Sequence, residues 1–204
     1  MNAIKSVVMG FVCLAAGLAG ADGVTGAYRA VEYLQSDGTQ WIDTGVVPTT
    51  KDVVTVKASS SSANTTLFGA KSSANNYVRI FMDSNKKLHV ISCVQYDRNS
   101  GLDFPLDEAV TIVYDAAGKK ISLNGSSYAI PDNATYAPTV SYHLLGYNNS
   151  GTSAARMTAK IYSFRIKSNT ADHVFIPCCR VADNVCGFYD TYDGSFLVNA
   201  NTAE

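Results

Sequence analysis

The chain breaks into short runs of alternating polarity and contains no long stretch with helical periodicity. Val54, Val56 and Ala58 form one face of a run whose other face is Val53, Thr55 and Lys57. Val110, Ile112 and Tyr114 alternate in the same way with Thr111, Val113 and Asp115. Ile121 and Leu123 lead into Asn124-Gly125, and Tyr128 and Ile130 follow it. Asn-Gly between alternating runs is the strongest short hairpin signal, because both central residues of a type I′ turn need positive φ. Further strands are predicted at 28–34, 40–46, 66–71, 77–83, 88–94, 140–147, 158–167, 173–181, 187–190 and 195–198, with a tight turn at Asp193-Gly194. Strands this short, numerous and evenly spaced predict an all-β fold, an antiparallel two-sheet sandwich or jelly roll.

Length and composition fit one such domain. The 204 residues are 47% apolar and 16% charged, which suits a packed core and not a disordered chain. Lys and Arg total 16 against 17 Asp and Glu, so no basic surplus exists to neutralise phosphates and nucleic acid is not the expected partner. Lys5 followed by the apolar run Val7–Leu18 and the small residues Ala19-Gly20-Ala21 reads as a signal peptide cleaved after Ala21. The expected organisation is a signal peptide at 1–21 and one domain at 22–204. No later run is long enough for a membrane helix, so the mature protein is expected to be secreted or otherwise extracytoplasmic, without a transmembrane segment.

One of the five cysteines, Cys13, lies in the leader, and Cys93, Cys178, Cys179 and Cys186 remain. An even number in an exported chain permits two disulfides in any of three pairings. Adjacent residues of a strand face opposite ways. With Val174, Ile176 and Cys178 taken as the buried face, Cys179 points out to meet Cys186 across a short hairpin. Cys93–Cys178 is the weaker second pairing, and its alternative is two buried free thiols acting as small hydrophobes. The cysteines lack the paired C-x-x-C spacing of a zinc site, and no metal is expected.

The segment 31–45, VEYLQSDGTQWIDTG, resembles the "YIESTGTQYIDTG" opening of a bacterial module family that is concanavalin-A-like and related in fold to laminin-G-like domains. Leu67-Phe68-Gly69-Ala70 resembles its "FGA" strand, and Asp115 through Asn124-Gly125 its "lNG" hairpin. Leu144-Leu145-Gly146 resembles "LFG", and Lys160 through Ile166 is similar to "KIYSFKI". Ile176-Pro177-Cys178 and Gly187-Phe188-Tyr189-Asp190 resemble the closing "LVPC" and "GLYD". Two departures stand out: Trp41 replaces the usual Tyr, and Cys179 and Cys186 are additions. The resemblance covers about residues 28–198. It implies a concanavalin-A-like jelly roll, one concave sheet, adjacent chain ends and an exported bacterial protein. It does not choose among glycan binding, protein adhesion and glycan hydrolysis.

The residues narrow that choice. Glycan hydrolysis needs two carboxylates flanking the scissile bond, and on this fold they come from an E-x-D-x-(x)-E strand. The chain has only Glu32, Glu108 and Glu204, none in that pattern. No G-x-S-x-G elbow and no phosphate loop occurs, and no cofactor is expected. Cys178 and His173 lie five apart on one strand with opposite facing, a poor nucleophile–base geometry. Trp41 is expected in the core. Saccharide sites combine an aromatic platform with polar side chains that bond hydroxyls. The best match is the loop carrying Tyr96, Asp97, Arg98 and Asn99. Tyr147 with Asn148 is a second, and Tyr77 and Arg79 are placed on the concave face. The expectation is a non-catalytic module that binds a glycan, or failing that a structural or adhesive protein that binds a cell-surface protein. A divergent glycosidase is the third reading.

Overall fold

The computed structural model describes residues 26–92, 97–131 and 136–201. The signal segment expected at 1–21, Cys93 and Tyr96 lie outside the described residues. Eighteen strands and no helix occur among the described residues. In chain order they are β1 (Tyr28–Ala30), β2 (Leu34–Asp37), β3 (Ile42–Asp43), β4 (Val53–Ser60), β5 (Thr65–Lys71), β6 (Tyr77–Met82), β7 (Lys87–Ser92), β8 (Asp97–Asp103) and β9 (Val110–Asp115). There follow β10 (Lys120–Leu123), β11 (Ser126–Ala129), β12 (His143–Leu144), β13 (Tyr147–Asn149), β14 (Thr152–Ala154), β15 (Thr158–Lys167), β16 (Asp172–Arg180), β17 (Cys186–Asp190) and β18 (Phe196–Val198).

They make two sheets. The larger has ten strands in the order β11-β10-β9-β4-β15-β16-β17-β18, with β1 paired to β16 and β2 to β15. The smaller has eight, β14-β13-β5-β6-β7-β8, with β12 joined to β5 and β3 to β12. Pairing is antiparallel throughout except between β13 and β5, which run parallel. The core lies between the sheets. Val54, Val56, Ile112, Tyr114, Ile161 and Phe164 enter it from the larger sheet, and Phe68, Val78, Ile80, Met82, Leu88 and Val90 from the smaller. These are the alternate residues that the runs at 53–58 and 110–115 assign to one face. The Asn124-Gly125 turn has the positive φ values a type I′ turn requires, 49° and 88°. The described chain ends are adjacent: the ring of Tyr28 lies 4.9 Å from that of Phe196, and the Ala200 N–H donates to the Trp41 carbonyl.

The hairpin of β16 and β17 corrects two expectations. Phe175 stands opposite Phe164, so this ring takes the core position and Val174 and Ile176 stay half-buried. Period two then carries Cys179 to the inner face, reversing the expected facing of the cysteine pair. Cys179 still stands directly opposite Cys186, and the two form a disulfide. Cys178 is a buried free thiol whose pKa burial raises to about 11, while Cys93, the partner expected for it, lies outside the described residues. Trp41 is a third correction. It is half-exposed at the edge of the smaller sheet, stacked on the buried ring of His143 at 4.1 Å.

Candidate ligand-binding face

The smaller sheet carries buried apolar residues on both faces. Residues directly opposite in antiparallel strands share a face, and one outward row crosses six strands: Asp43, His143, Gly69, Arg79, Ile91, Asp97. The next row holds Thr66, Phe81, His89 and Asn99. β6 therefore sends Tyr77, Arg79 and Phe81 outward while Val78, Ile80 and Met82 enter the core. Tyr77, Phe81 and Ile91 form a separate buried apolar cluster on this outer face, and Tyr147 of β13 packs against it.

Arg79 is at the centre. Its guanidinium lies over the rings of Phe81 at 4.2 Å and Tyr147 at 5.0 Å, and its Nε donates to Thr66 Oγ1 at 2.8 Å. Two aromatic rings and one hydroxyl hold the side chain in place. Gly69 makes room for this stack. A Cβ there would lie 2.9 Å from the Cβ of Tyr147 and 2.6 Å from the Val78 carbonyl oxygen. Tyr77 and Tyr147 rings lie 5.5 Å apart, and Lys71 Nζ sits 5.1 Å over Tyr77. Burial raises the Tyr77 pKa, and the charge of Arg79 offsets part of that. Neither Arg79 nor Lys71 forms an ion pair among the described residues.

Asp43, Asp83 and Asp97 are engaged by histidines, a hydroxyl and backbone N–H groups, and Asp103 by Lys87. His89 Nδ1 is 2.5 Å from Asp97 Oδ1 and its Nε2 is 3.2 Å from Asp83 Oδ2. Both ring nitrogens can donate only in the imidazolium form. Burial works against ionisation of Asp83, but the Lys87 N–H, the charge of His89 and the Asn85 N–H outweigh it and hold the carboxyl below its usual range. At the other edge, Asp43 accepts from the Ser141 hydroxyl and the Gly45 N–H. The buried Nδ1 of His143 has no hydrogen-bond partner among the described residues, and its Nε2 lies 3.8 Å from Asp43.

This geometry sorts the candidates from the sequence. Arg79, Tyr147, Asp97 and Asn99 share the outer face. Asp97-Arg98-Asn99 is not a loop but the start of β8. Strand alternation turns Arg98 away from its neighbours: it stands opposite Val90, whose side chain is in the core. Asn148 also faces inward. It is buried, accepts from the Gly151 N–H at 2.8 Å and contacts Ser141, so it shapes a turn and does not reach the outer face. Tyr96 lies outside the described residues. Phe81, His89 and Lys71 were not singled out from the sequence; Tyr77-x-Arg79-x-Phe81 is the period-two signal that places Phe81 with Arg79, whereas His89 and Lys71 arrive by cross-strand register. His173 is engaged by Asp190, with Nδ1 2.6 Å from Oδ2, and not by Cys178.

No protein-family model and no curated protein matches the chain. Among solved structures it is similar in fold to the CBM40 module of the Ruminococcus gnavus IT-sialidase bound to α2,3-sialyllactose. The TM-score is 0.52 at 13% identity, covering 66% of this chain and 89% of that one. The fold is thus a two-sheet jelly-roll sandwich. Weaker matches are a NanB sialidase variant from Streptococcus pneumoniae (TM-score 0.45, 17% identity, 70% of this chain and 25% of that) and the SAP-like pentraxin of Limulus polyphemus (0.43, 8%, 62% and 68%).

Proposed function

We propose that the protein is an exported, non-catalytic glycan-recognition module that binds through the outer face of the smaller sheet, and that its glycan carries a carboxylate. One observation carries the reading: Arg79 is held against two aromatic rings and a hydroxyl, with no carboxylate partner among the described residues. A guanidinium fork matches a carboxylate bidentately, and a pre-positioned fork loses little side-chain entropy on binding. Tyr147 and Tyr77 supply flat apolar surface for a sugar ring, and Asn99 supplies polar groups at the edge. The fold neighbour was captured with sialyllactose, an acidic saccharide, which agrees with this class of ligand. The Cys179–Cys186 bridge agrees with an oxidising compartment, and the apolar run after Lys5 with export.

The test is a glycan array probed with the oxidised protein, followed by titration of the hits. Carboxylated glycans should dominate. Arg79→Ala should weaken them by about tenfold or more, and Arg79→Lys by less, because a point charge keeps attraction but loses the fork. A blank array with folded protein would move the reading to a protein partner. Hits confined to neutral glycans would remove Arg79 from the central role.

A further inference from the structure

The opposite side of the sandwich carries a recess of about 200 Å³ on the outer face of the larger sheet. Its floor is the row Gln35, Lys160, Ser59, standing directly opposite one another where β15 runs between β2 and β4. Tyr162, Thr158, Asp107, Ser61 and Ala159 complete the lining.

A β-bulge shapes this site. The register between β15 and β4 slips between Ile161 and Ser163. Ile161 and Phe164 both remain in the core, so Tyr162 and Ser163 point outward in succession. A bulge re-aims a side chain in this way, and here it brings the Tyr162 ring edge-on to Tyr33 at 5.5 Å. Lys160 Nζ lies 4.6 Å over the Tyr33 ring, and Lys57 Nζ 5.7 Å over Tyr162. Asp107 is held at the rim by its own backbone. Its φ is 62°, the left-handed region, and its N–H donates to the Ser60 carbonyl at 2.8 Å. Among the described residues Lys57, Lys160 and Asp107 form no ion pairs.

We infer that this recess is a second saccharide site that takes a single sugar ring. Its chemistry matches a ring whose hydroxyls both donate and accept. Lys160 donates, Asp107 accepts, Gln35 and Ser59 do both, and Tyr162 gives an apolar wall. Its volume is below the range of about 300–1,000 Å³ for clefts that enclose drug-sized ligands, so it holds one ring and no more. Combined with the proposal for the smaller sheet, on which this last step rests, the module presents glycan sites on both faces. It can then link two glycan chains, or gain avidity on one surface only if that surface can reach both faces.

The experiment is an amide-shift titration of the oxidised full chain with the methyl glycosides of glucose, galactose, N-acetylglucosamine and glucuronic acid. At least one glycoside should move the amides around Ser59, Asp107, Lys160 and Tyr162 at millimolar concentration. Lys160→Met and Asp107→Asn should each weaken that response by about tenfold, and Arg79→Ala should leave it unchanged. Lys160→Met keeps the apolar stem over Tyr33, and Asp107 is exposed, so neither variant is expected to unfold the chain. The inference is overturned if no glycoside moves these amides, or if the response persists at full affinity in both variants. Failure of the smaller-sheet site would register separately, as missing shifts around Arg79 with the Lys160 response intact.

Discussion

Opening the Cys179–Cys186 bridge tests the folded hairpin directly. The bridge closes a ring of eight residues, because the two cysteines are seven apart. For eight residues the chain-entropy relation gives about 8 cal/mol/K, or about 2.5 kcal/mol at 25 °C. The structure argues that the measured value falls below this figure. The turn is already organised without the bridge: the Arg180 N–H donates to the Val185 carbonyl at 2.8 Å, the Asn184 N–H to the Arg180 carbonyl at 2.9 Å, and Arg180 pairs with Asp183 at 2.6 Å. A turn that persists in the unfolded chain leaves less loop entropy for the disulfide to remove. About 2 kcal/mol is therefore expected, a fall in Tm of roughly 4–8 °C for a domain of this size. Calorimetry of the wild type with and without reductant, and of Cys186→Ala, should give matching shifts. On reduction, the denatured protein should gain about 2 Da and two alkylatable thiols. Cys178→Ser should leave that thiol increment unchanged, because Cys178 faces the other side of β16 and takes no part in the bridge. An unchanged thiol count on reduction, or a Tm shift under about 1 °C, would refute the reasoning.

Two further outcomes follow from the same geometry. Gly69→Ala places a methyl group within 3.0 Å of the Val78 carbonyl oxygen, the Tyr147 Cβ and the Arg79 Cα. Backbone on one side and a packed ring on the other leave little room to yield, so a loss of about 1–3 kcal/mol is expected in urea unfolding, with weakened glycan binding as Tyr147 lifts from its seat; unchanged stability would show that the strand shifts freely. Asp43 gives an acid limb. Burial pushes its pKa up, but the His143 imidazole, the Ser141 hydroxyl and the Gly45 N–H bring it down to about 2. A carboxyl depressed in the folded state stabilises above its unfolded pKa and loses that contribution as pH falls, here between about 4 and 2. The side chain is 47% exposed, so screening limits the effect to about 1 kcal/mol. Stability of Asp43→Asn should be flatter than wild type across that interval, and parallel curves would remove Asp43 from the acid response.

Much of the sandwich was legible because its central strands alternate cleanly. β15 occupies Thr158–Lys167, the stretch its polarity pattern marks, and the inward residues of β4 and β9 are those the alternation selects. β8 was not legible. Its sequence Asp-Arg-Asn-Ser-Gly-Leu-Asp carries one large apolar residue, and what holds it is cross-strand pairing to β7 with the His89–Asp97 contact, neither visible locally. β2 was hidden for a similar reason: the predicted strand at 28–34 reaches only its first residue, Leu34, and Gln35, Ser36 and Asp37 carry no apolar side chain. The cysteine facing failed because three consecutive apolar residues, Val174, Phe175 and Ile176, leave the phase of a strand open. The bulkier ring decided it through its contact with Phe164, with centroids 5.3 Å apart.

The candidate site was legible in part, and the reason bears on how such faces are found. A sandwich needs only one apolar face per sheet, and β4 obeys this, with Val53, Thr55 and Lys57 outward and at least partly exposed. β6 does not: of Tyr77, Val78, Arg79, Ile80, Phe81 and Met82, five are buried and the half-buried one is the arginine. Burying aromatic residues on the outer side of a sheet adds nothing to the core between the sheets, and a lone cation set among them stabilises little unless an anion arrives to share the desolvated site. Tyr77-x-Arg79-x-Phe81, a cation flanked by aromatics at period two in a strand whose other face is already apolar, is therefore a stronger sign of a binding face than the polar cluster Asp97-Arg98-Asn99. Alternation splits that cluster between two sides of one edge strand.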